Sequence, residues 1–168
     1  MASLYSEDQD YKSFFELQAG KTVDLSAGAK TEVWQFYSIK LGHGERTLFF
    51  TSPSENKEKY DGYVENVDTV ADGYLLCRKS RDEVDKLVKL LERFAAQEVN
   101  SVRFEPLEPS FEFILERQNA DEIRLSVFVD EGNVLTTIAR WDSLGLRFFT
   151  NQSMVEQFIQ ELKRDFAC

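Results

Sequence analysis

Apolar and polar residues alternate in three successive segments of the last third of the chain. Side chains alternate between the two faces of a β-strand, so each segment predicts a strand with one apolar face. Turn-forming residues separate the segments, which predicts an antiparallel meander. The apolar faces comprise Phe111, Phe113 and Leu115 in the first segment, Ile123, Leu125, Val127 and Val129 in the second, and Leu135, Thr137, Ala139 and Trp141 in the third.

The apolar faces fix the expected register of the first hairpin, because inward residues must face inward residues. Leu115 is expected to pair with Ile123 across a loop of residues 118–120. The same register places Glu116 opposite Glu122 on the outward face, where like charges repel mildly.

The second hairpin follows by the same reasoning. Val129 is expected to pair with Leu135 across a loop of residues 131–133, whose central glycine suits a three-residue loop. After a turn at residues 142–144, a fourth strand is expected over Gly145–Thr150.

Two further segments have apolar residues at helical spacing. The first begins at Ser80, which has the capping-box spacing to Glu83, and extends to about Gln97. The second follows the fourth strand, with Thr150 or Ser153 as the expected N-cap. The apolar positions are Val84, Leu87, Val88, Leu91, Phe94 and Ala95 in the first helix and Val155, Phe158, Ile159, Leu162 and Phe166 in the second.

The first third of the chain is less regular. Residues 1–11 are polar, acidic and non-periodic, which predicts a mobile tail. Short strands are expected over Phe14–Leu17 and Val23–Leu25, on either side of a turn at Ala19-Gly20.

A longer strand is expected over Glu32–Leu41, which is apolar or aromatic on both faces. Residues 42–44 form a glycine-rich turn into a strand over Thr47–Thr51, so we expect an antiparallel hairpin. Residues 52–69 are charged and poor in aliphatic side chains, which predicts a long loop.

The order of these elements indicates the fold class. Strands, a helix, strands and a second helix predict an α+β fold, with antiparallel sheet(s) and two amphipathic helices packed against them. A chain of 168 residues fits one domain, expected here over residues 12–168. Side chains expected to be largely buried are Phe111, Phe113, Leu125, Val127, Trp141, Phe158 and Leu162.

Charge adds to this picture. The chain has 30 acidic and 20 basic residues, a formal net charge of -10 and a pI of about 4.7. Such a chain repels nucleic acid and anionic membranes, and it favours either a basic protein partner or plain solubility. Because the sequence has neither a membrane-spanning apolar run nor a secretion signal, we expect a cytoplasmic protein.

Candidate catalytic and metal-binding residues are few. His43 is the only histidine, which excludes histidine clusters as metal sites, and its place between two glycines predicts a surface turn. Cys77 and Cys168 are far apart in sequence, and Cys77 is expected to be a small buried apolar residue. Phosphate-loop, dinucleotide-binding and nucleophile-elbow motifs do not occur. We therefore expect a non-enzyme without a cofactor or metal ion.

Acidic residues are concentrated between Arg103 and Glu131. This segment holds eight acidic and three basic residues, a formal net charge of -5. Such a surplus favours docking of a basic protein, and it equally fits a solvated edge that discourages aggregation. The candidate partner-binding residues are Glu112, Glu116, Glu122, Asp130, Glu131 and Asp142.

The outward face of the predicted meander is not uniformly polar. If it is exposed, its apolar residues with an acidic rim would form a protein-binding surface. These apolar residues are Ile114, Phe128, Val134 and Ile138.

One pattern resembles a known family. An opening strand of the form F-x-P-x-x-P-x-F is followed by a G-[LIV]-x-F strand and a closing amphipathic helix. Over roughly residues 80–166 this pattern resembles the WapI-type bacterial immunity proteins and related uncharacterised bacterial proteins. The matching positions are Phe104, Pro106, Pro109, Phe111, Gly145, Leu146 and Phe148. Most of them are packing and turn positions, so the pattern identifies a fold better than a function.

The resemblance implies a function for the chain. It implies a non-catalytic cytoplasmic protein that binds and neutralises the toxic domain of a polymorphic toxin. A nuclease toxin has a basic, phosphate-binding surface, which an acidic partner would meet quickly. The alternative is a small enzyme or ligand-binding domain whose pocket lies between the sheet and the loop of residues 52–69.

Overall fold

The computed structural model describes residues 1–8, 12–27, 30–51, 70–71, 76–78, 80–106, 111–120, 122–130 and 143–166. The secondary structure of these residues consists of ten strands and two helices. In chain order they are β1 (Ala2–Tyr5), β2 (Ser13–Ala27), β3 (Lys30–His43), β4 (Arg46–Thr51), β5 (Val70–Ala71), β6 (Leu76–Arg78), α1 (Ser80–Ala95), β7 (Ser101–Phe104), β8 (Phe111–Arg117), β9 (Ile123–Asp130), β10 (Ser143–Thr150) and α2 (Gln152–Phe166).

The strands form two sheets. The first has the order β1-β2-β3-β4-β5, and β6 pairs with β3 beside this path. Its pairs are antiparallel except for β4 and β5, which run parallel at Phe50 and Val70. The second sheet has the order β10-β9-β8-β7 and is antiparallel throughout. The predicted α+β class is therefore confirmed.

The long hairpin of β2 and β3 dominates the first sheet. The turn predicted at Ala19-Gly20 is wrong, because β2 continues through it and pairs with β3 along its whole length. Ala19 and Thr22 instead flank a shift in register, which is a β-bulge. The hairpin predicted between β3 and β4 is confirmed, although Gly42 and His43 still belong to β3 and the turn has Gly44 at a φ of 61°.

The N-terminal segment differs from the predicted mobile tail, because Ala2–Tyr5 is strand β1. Ala2 and Leu4 are buried, and Leu4 lies opposite Phe15 of β2. A carboxylate oxygen of Glu161 in α2 accepts a hydrogen bond from the backbone N–H of Ser3 at 2.8 Å. Helix α2 thereby protects the edge of this strand, which its short polar sequence did not indicate.

In the hairpin of β8 and β9, each side chain lies on the face of the sheet that was predicted for it, but the two strands pair in a different register. Leu115 pairs with Leu125, two residues away from the predicted partner Ile123. The last pair of the ladder is Arg117 with Ile123, so the connection comprises residues 118–122 and is longer than predicted. Within it the backbone N–H of Gln118 donates to the carbonyl of Glu122, and the Asn119 side chain accepts from the Glu122 N–H. A shift of two residues keeps every side chain on its predicted face, which is why parity alone did not detect it.

Strand β10 lies directly beside β9. Val129 of β9 pairs with Leu144 of β10 on one side and with Phe111 of β8 on the other. Residues 133–141, predicted as a strand next to β9, lie outside the described residues, and the place beside β9 is occupied by β10.

One core joins both sheets and the helices. Its centre is Phe15, whose ring centroid lies 5.7 Å from that of Phe113 and 6.0 Å from that of Phe158. Phe113 and Phe158 stack at 6.2 Å with an interplanar angle of 11°. The residues of the second sheet that face this core form what we call the inner face. Burial is confirmed for Phe111, Phe113, Leu125, Val127, Phe158 and Leu162, whereas Trp141 lies outside the described residues.

Both helices bury the apolar positions predicted from their spacing. All five positions of α2 and five of the six on α1 are buried, and Ala95 is partly buried. The N-cap of α2 is Asn151 rather than Thr150 or Ser153, because its side-chain oxygen accepts from the N–H of Met154 at 3.1 Å. Thr150 is instead fully buried.

Candidate partner-binding surface

The four-stranded sheet has a second face, which we call the outer face. Its side chains alternate along each strand with those of the inner face and therefore point away from the core. In the described strands it consists of Ser101 and Arg103 of β7, Glu112, Ile114 and Glu116 of β8, Arg124, Ser126, Phe128 and Asp130 of β9, and Ser143, Gly145, Arg147 and Phe149 of β10.

Acidic and basic side chains pair across the outer face. Glu116 lies opposite Arg124, which donates from Nη2 at 2.7 Å and from Nε at 3.2 Å. Glu112 forms an ion pair with Arg103 of β7. The repulsion predicted between Glu116 and Glu122 is therefore wrong. Of the predicted partner-binding carboxylates on this face, Glu112 and Glu116 are already paired with arginine.

Arg147 differs from the other two arginines of the outer face. Its Nε donates to the hydroxyl of Ser126, its cross-strand partner, at 3.1 Å. No carboxylate among the described parts of the chain forms an ion pair with it. Arg147 is also an exposed residue, unlike the half-buried Arg124.

Apolar side chains lie between these charged groups. Phe149 is 48% exposed and lies opposite Arg124. Phe128 is half-buried because its ring packs over Gly145, where an added Cβ would lie 2.4 Å from the ring. Ile114 is half-buried at the middle of β8. The outer face thus combines an exposed aromatic ring with mixed charges.

The other predicted partner-binding residues are more scattered. Glu122 is exposed in the loop before β9, where its carboxylate accepts from the side-chain amide of Asn119. Asp130 is half-buried at the end of β9, opposite Ser143. Glu131 and Asp142 lie outside the described residues. The structure thus places Glu112, Glu116 and Asp130 on one face of the sheet, with Ile114 between the two glutamates of β8.

Sequence reasoning missed Arg147 and Phe149, although a signal for both was present. The parity that places Leu146 and Phe148 toward the core places Arg147 and Phe149 on the other face of the same strand. A count of acidic residues does not show which of them have a basic partner across the sheet, and the partner-binding role of these acids stays a prediction.

One serine and the histidine are in contact. Ser13 Oγ and His43 Nδ1 are 2.8 Å apart, and the two residues are cross-strand partners at the end of the β2–β3 ladder. The Ser13 N–H donates to Ser6 Oγ, so it is not available to stabilise an oxyanion. This contact therefore fixes the end of a hairpin. His43 is exposed, as the sequence predicted.

An apolar pocket lies between α1 and the two sheets. It is partly open to solvent, and the volume that the centre of a water molecule can reach is only about 20 Å³. Glu83 is the acidic residue among its lining side chains and has the capping-box spacing to the first residue of α1. The described residues contain no group of three or more possible metal ligands. The lining residues are Leu17, Tyr37, Glu83, Val84, Leu87, Phe104, Pro106, Phe111 and Phe166.

Neither helix in the described part of the chain is long and apolar enough to cross a membrane.

Comparison with known proteins identifies the segment that carries the outer face. No curated protein matches the chain. Among solved structures, the plant transcriptional regulator PBF-2 is similar, with a TM-score of 0.42 and 9% sequence identity over 98% of this chain and 78% of that chain. The model of the immunity protein WapI-like family matches residues 77–167, which include both helices and the whole four-stranded sheet. More than half of the chain thus matches this model, and the chain belongs to the WapI-like immunity protein family.

Proposed function

We propose that this protein is a non-catalytic immunity protein that binds a toxin domain and blocks its activity. The observation that carries the proposal is the exposed outer face within the segment that matches the immunity family. There Phe149 is 48% exposed beside arginine side chains. Aromatic residues and arginine are enriched in protein interfaces and supply much of their binding energy.

The alternation of side chains supports this use of the sheet. The inner face supplies the core, so a partner on the outer face would contact half-buried side chains of β8 and β9 and exposed side chains of β10. The sheet also holds these side chains on a rigid backbone. A preformed surface loses less entropy on binding than a flexible loop does.

Net charge supports a basic toxin domain as the partner. A formal charge of -10 attracts a basic domain over long distances and raises its rate of association. This long-range field does not require unpaired acids at the contact itself. Glu122 is exposed and suits the rim of the interface, as does Asp130 at the end of β9. Glu131 and Asp142 stay candidate partner-binding residues. A complex of this kind would form in the cytoplasm, where the toxin domain acts.

The test uses the C-terminal domain of a large secreted protein encoded by a neighbouring gene. Expression of that domain alone should stop growth, and co-expression with this protein should restore it. Purified samples of both should form a stable complex in size-exclusion chromatography. Absence of a neighbouring toxin gene, or growth arrest that co-expression does not relieve, would contradict the proposal.

Salt dependence tests the charge argument separately. If net charge steers the partner, association should slow markedly between about 0.01 M and 0.15 M salt, because the Debye length falls from about 30 Å to about 8 Å. Reversal of Asp130 and Glu131 to lysine should slow association more than it speeds dissociation. Association that is independent of salt would remove steering from the proposal and leave the binding itself intact.

A further inference from the structure

We propose that Arg147 and Phe149 together anchor the toxin domain, and that they receive a carboxylate side chain lying beside an apolar patch of that domain. The inference rests on the proposed function and assigns the chemistry of its contact. It also differs from the sequence-based expectation, in which acids of this chain meet bases of the partner.

The positions of the two residues favour joint use. They lie two residues apart on the outer face of β10, so their Cα atoms are about 7 Å apart. Strand β10 is the edge strand of its sheet, so no strand of the described chain follows it on that side. The N–H of Glu7 donates to the carbonyl of Phe149 at 3.0 Å, which fixes the backbone at this point.

The hydrogen bonds of the three arginines distinguish Arg147. The guanidinium groups of Arg103 and Arg124 are each engaged by a glutamate of β8. In Arg147, the bond to Ser126 uses Nε and directs the side chain along the sheet. The two terminal nitrogens form no hydrogen bond or ion pair with the residues that the structure describes. A planar pair of N–H donors matches the two oxygens of a carboxylate.

The exposed ring of Phe149 determines the rest of the contact. An exposed phenylalanine next to a cation gains from burial only if the partner offers an apolar patch at the same place. A partner carboxylate at Arg147 would be largely removed from water by that patch, and the ion pair would then gain strength. Nucleic acid fits less well, since the net charge of -10 repels its phosphates.

Variants at these positions test the anchor. Arg147→Glu and Phe149→Ala should each weaken binding of the purified toxin domain by about tenfold or more, measured by calorimetry. Lys86→Glu is the matched control, because it makes the same charge change at an exposed position of α1 and should change affinity by less than about threefold. Circular dichroism and thermal unfolding would show that each variant is folded.

Carbodiimide cross-linking tests the carboxylate directly. The Arg147→Lys variant places an amine at this position, and carbodiimide joins an amine to a neighbouring carboxylate as an amide while it takes up water to become a urea. We expect mass spectrometry of the treated complex to find position 147 bonded to an aspartate or glutamate of the toxin domain. The wild-type complex, treated in the same way, gives the background.

The outcomes separate this inference from the proposed function. A wild-type protein that neither binds nor protects contradicts both. A wild-type protein that binds and protects, with full affinity in Arg147→Glu and Phe149→Ala, contradicts only the anchor. Affinity weakened by about tenfold or more in these variants, combined with a cross-link from Lys at position 147 to the toxin domain, supports both.

Discussion

Glu116 accepts two hydrogen bonds from Arg124 across adjacent strands of the four-stranded sheet, at 2.7 Å and 3.2 Å. The sequence-based register placed Glu116 opposite Glu122 and implied repulsion. In the observed register the two side chains attract each other, so removal of the Glu116 charge should lower the free energy of unfolding. In the sequence-based register the same change should raise it.

Glu116→Lys should therefore destabilise the protein. The substitution removes the ion pair and places two cations opposite each other, and a loss of about 1 kcal/mol in the free energy of unfolding is expected. The estimate is small because the two side chains are 36% and 31% exposed. Urea unfolding measures the loss, and addition of Arg124→Glu in the same chain should restore most of it. A stabilised Glu116→Lys variant would favour the like-charge register instead.

Phe15→Ala should have a much larger effect. The Phe15 ring is fully buried against Phe113 and Phe158, so its removal leaves a cavity between both sheets and α2. The expected loss is about 3 to 5 kcal/mol in the free energy of unfolding, with a similar loss for Phe113→Ala. Phe149→Ala removes the same side chain at an exposed position and should cost less than about 1 kcal/mol. Equal losses in Phe15→Ala and Phe149→Ala would show that the core is misassigned.

Asn151→Ala should shorten or destabilise α2. The Asn151 side chain satisfies the N–H of Met154, and loss of such a cap costs about 1 kcal/mol. Ser153→Ala is the control, because the Ser153 hydroxyl donates to the Asn151 side chain and does not bond to the helix backbone in the described contacts. Thermal unfolding would rank the two variants. A larger loss in Ser153→Ala would restore the cap predicted from the sequence.

Gly42→Ala should cost more than Gly145→Ala, although both glycines lie beside a phenylalanine ring. A Cβ at Gly42 would lie 2.0 Å from the ring of Phe14 and 2.7 Å from the carbonyl oxygen of Arg46. A Cβ at Gly145 would meet the ring of Phe128 at 2.4 Å, with the nearest backbone atom at 3.3 Å. A ring can rotate away but a paired strand cannot, so we expect about 1 to 3 kcal/mol for Gly42→Ala and less for Gly145→Ala.

A double variant checks the reason given for Gly145. Phe128→Leu should offset part of the loss caused by Gly145→Ala, because the smaller side chain leaves room for the added methyl group. Strictly additive losses in urea unfolding would place the strain elsewhere.

Periodicity predicted the parts of the fold where one face is buried. It identified α1, α2 and the facing of β8 and β9, because burial on one side leaves a regular pattern in the sequence. It could not fix the β8–β9 register, since a shift of two residues preserves that pattern. It also missed β1, where Ala2 and Leu4 are buried within a segment of otherwise polar composition.

The candidate surface was predicted less well than the fold. The sequence indicated the outward side of the meander and the half-buried positions Ile114 and Phe128. It did not indicate which charges are neutralised, because Arg103 pairs with Glu112 through strand neighbours that only the sheet order defines. Arg147 became a candidate only when its neighbours were known.

Alternation along β8, β9 and β10 also bears on how such a protein changes its target. Under the proposed function, residues that fold the chain and residues that would meet the partner occupy different positions of the same strands, so either set could mutate with little effect on the other. A cross-strand pair such as Glu116 and Arg124 can be inverted at little cost in stability while it reverses the local charge pattern that a partner meets. Under the same proposal, a few exchanges on one side of the sheet would switch the specificity for a toxin, and the residues of the core would not have to change.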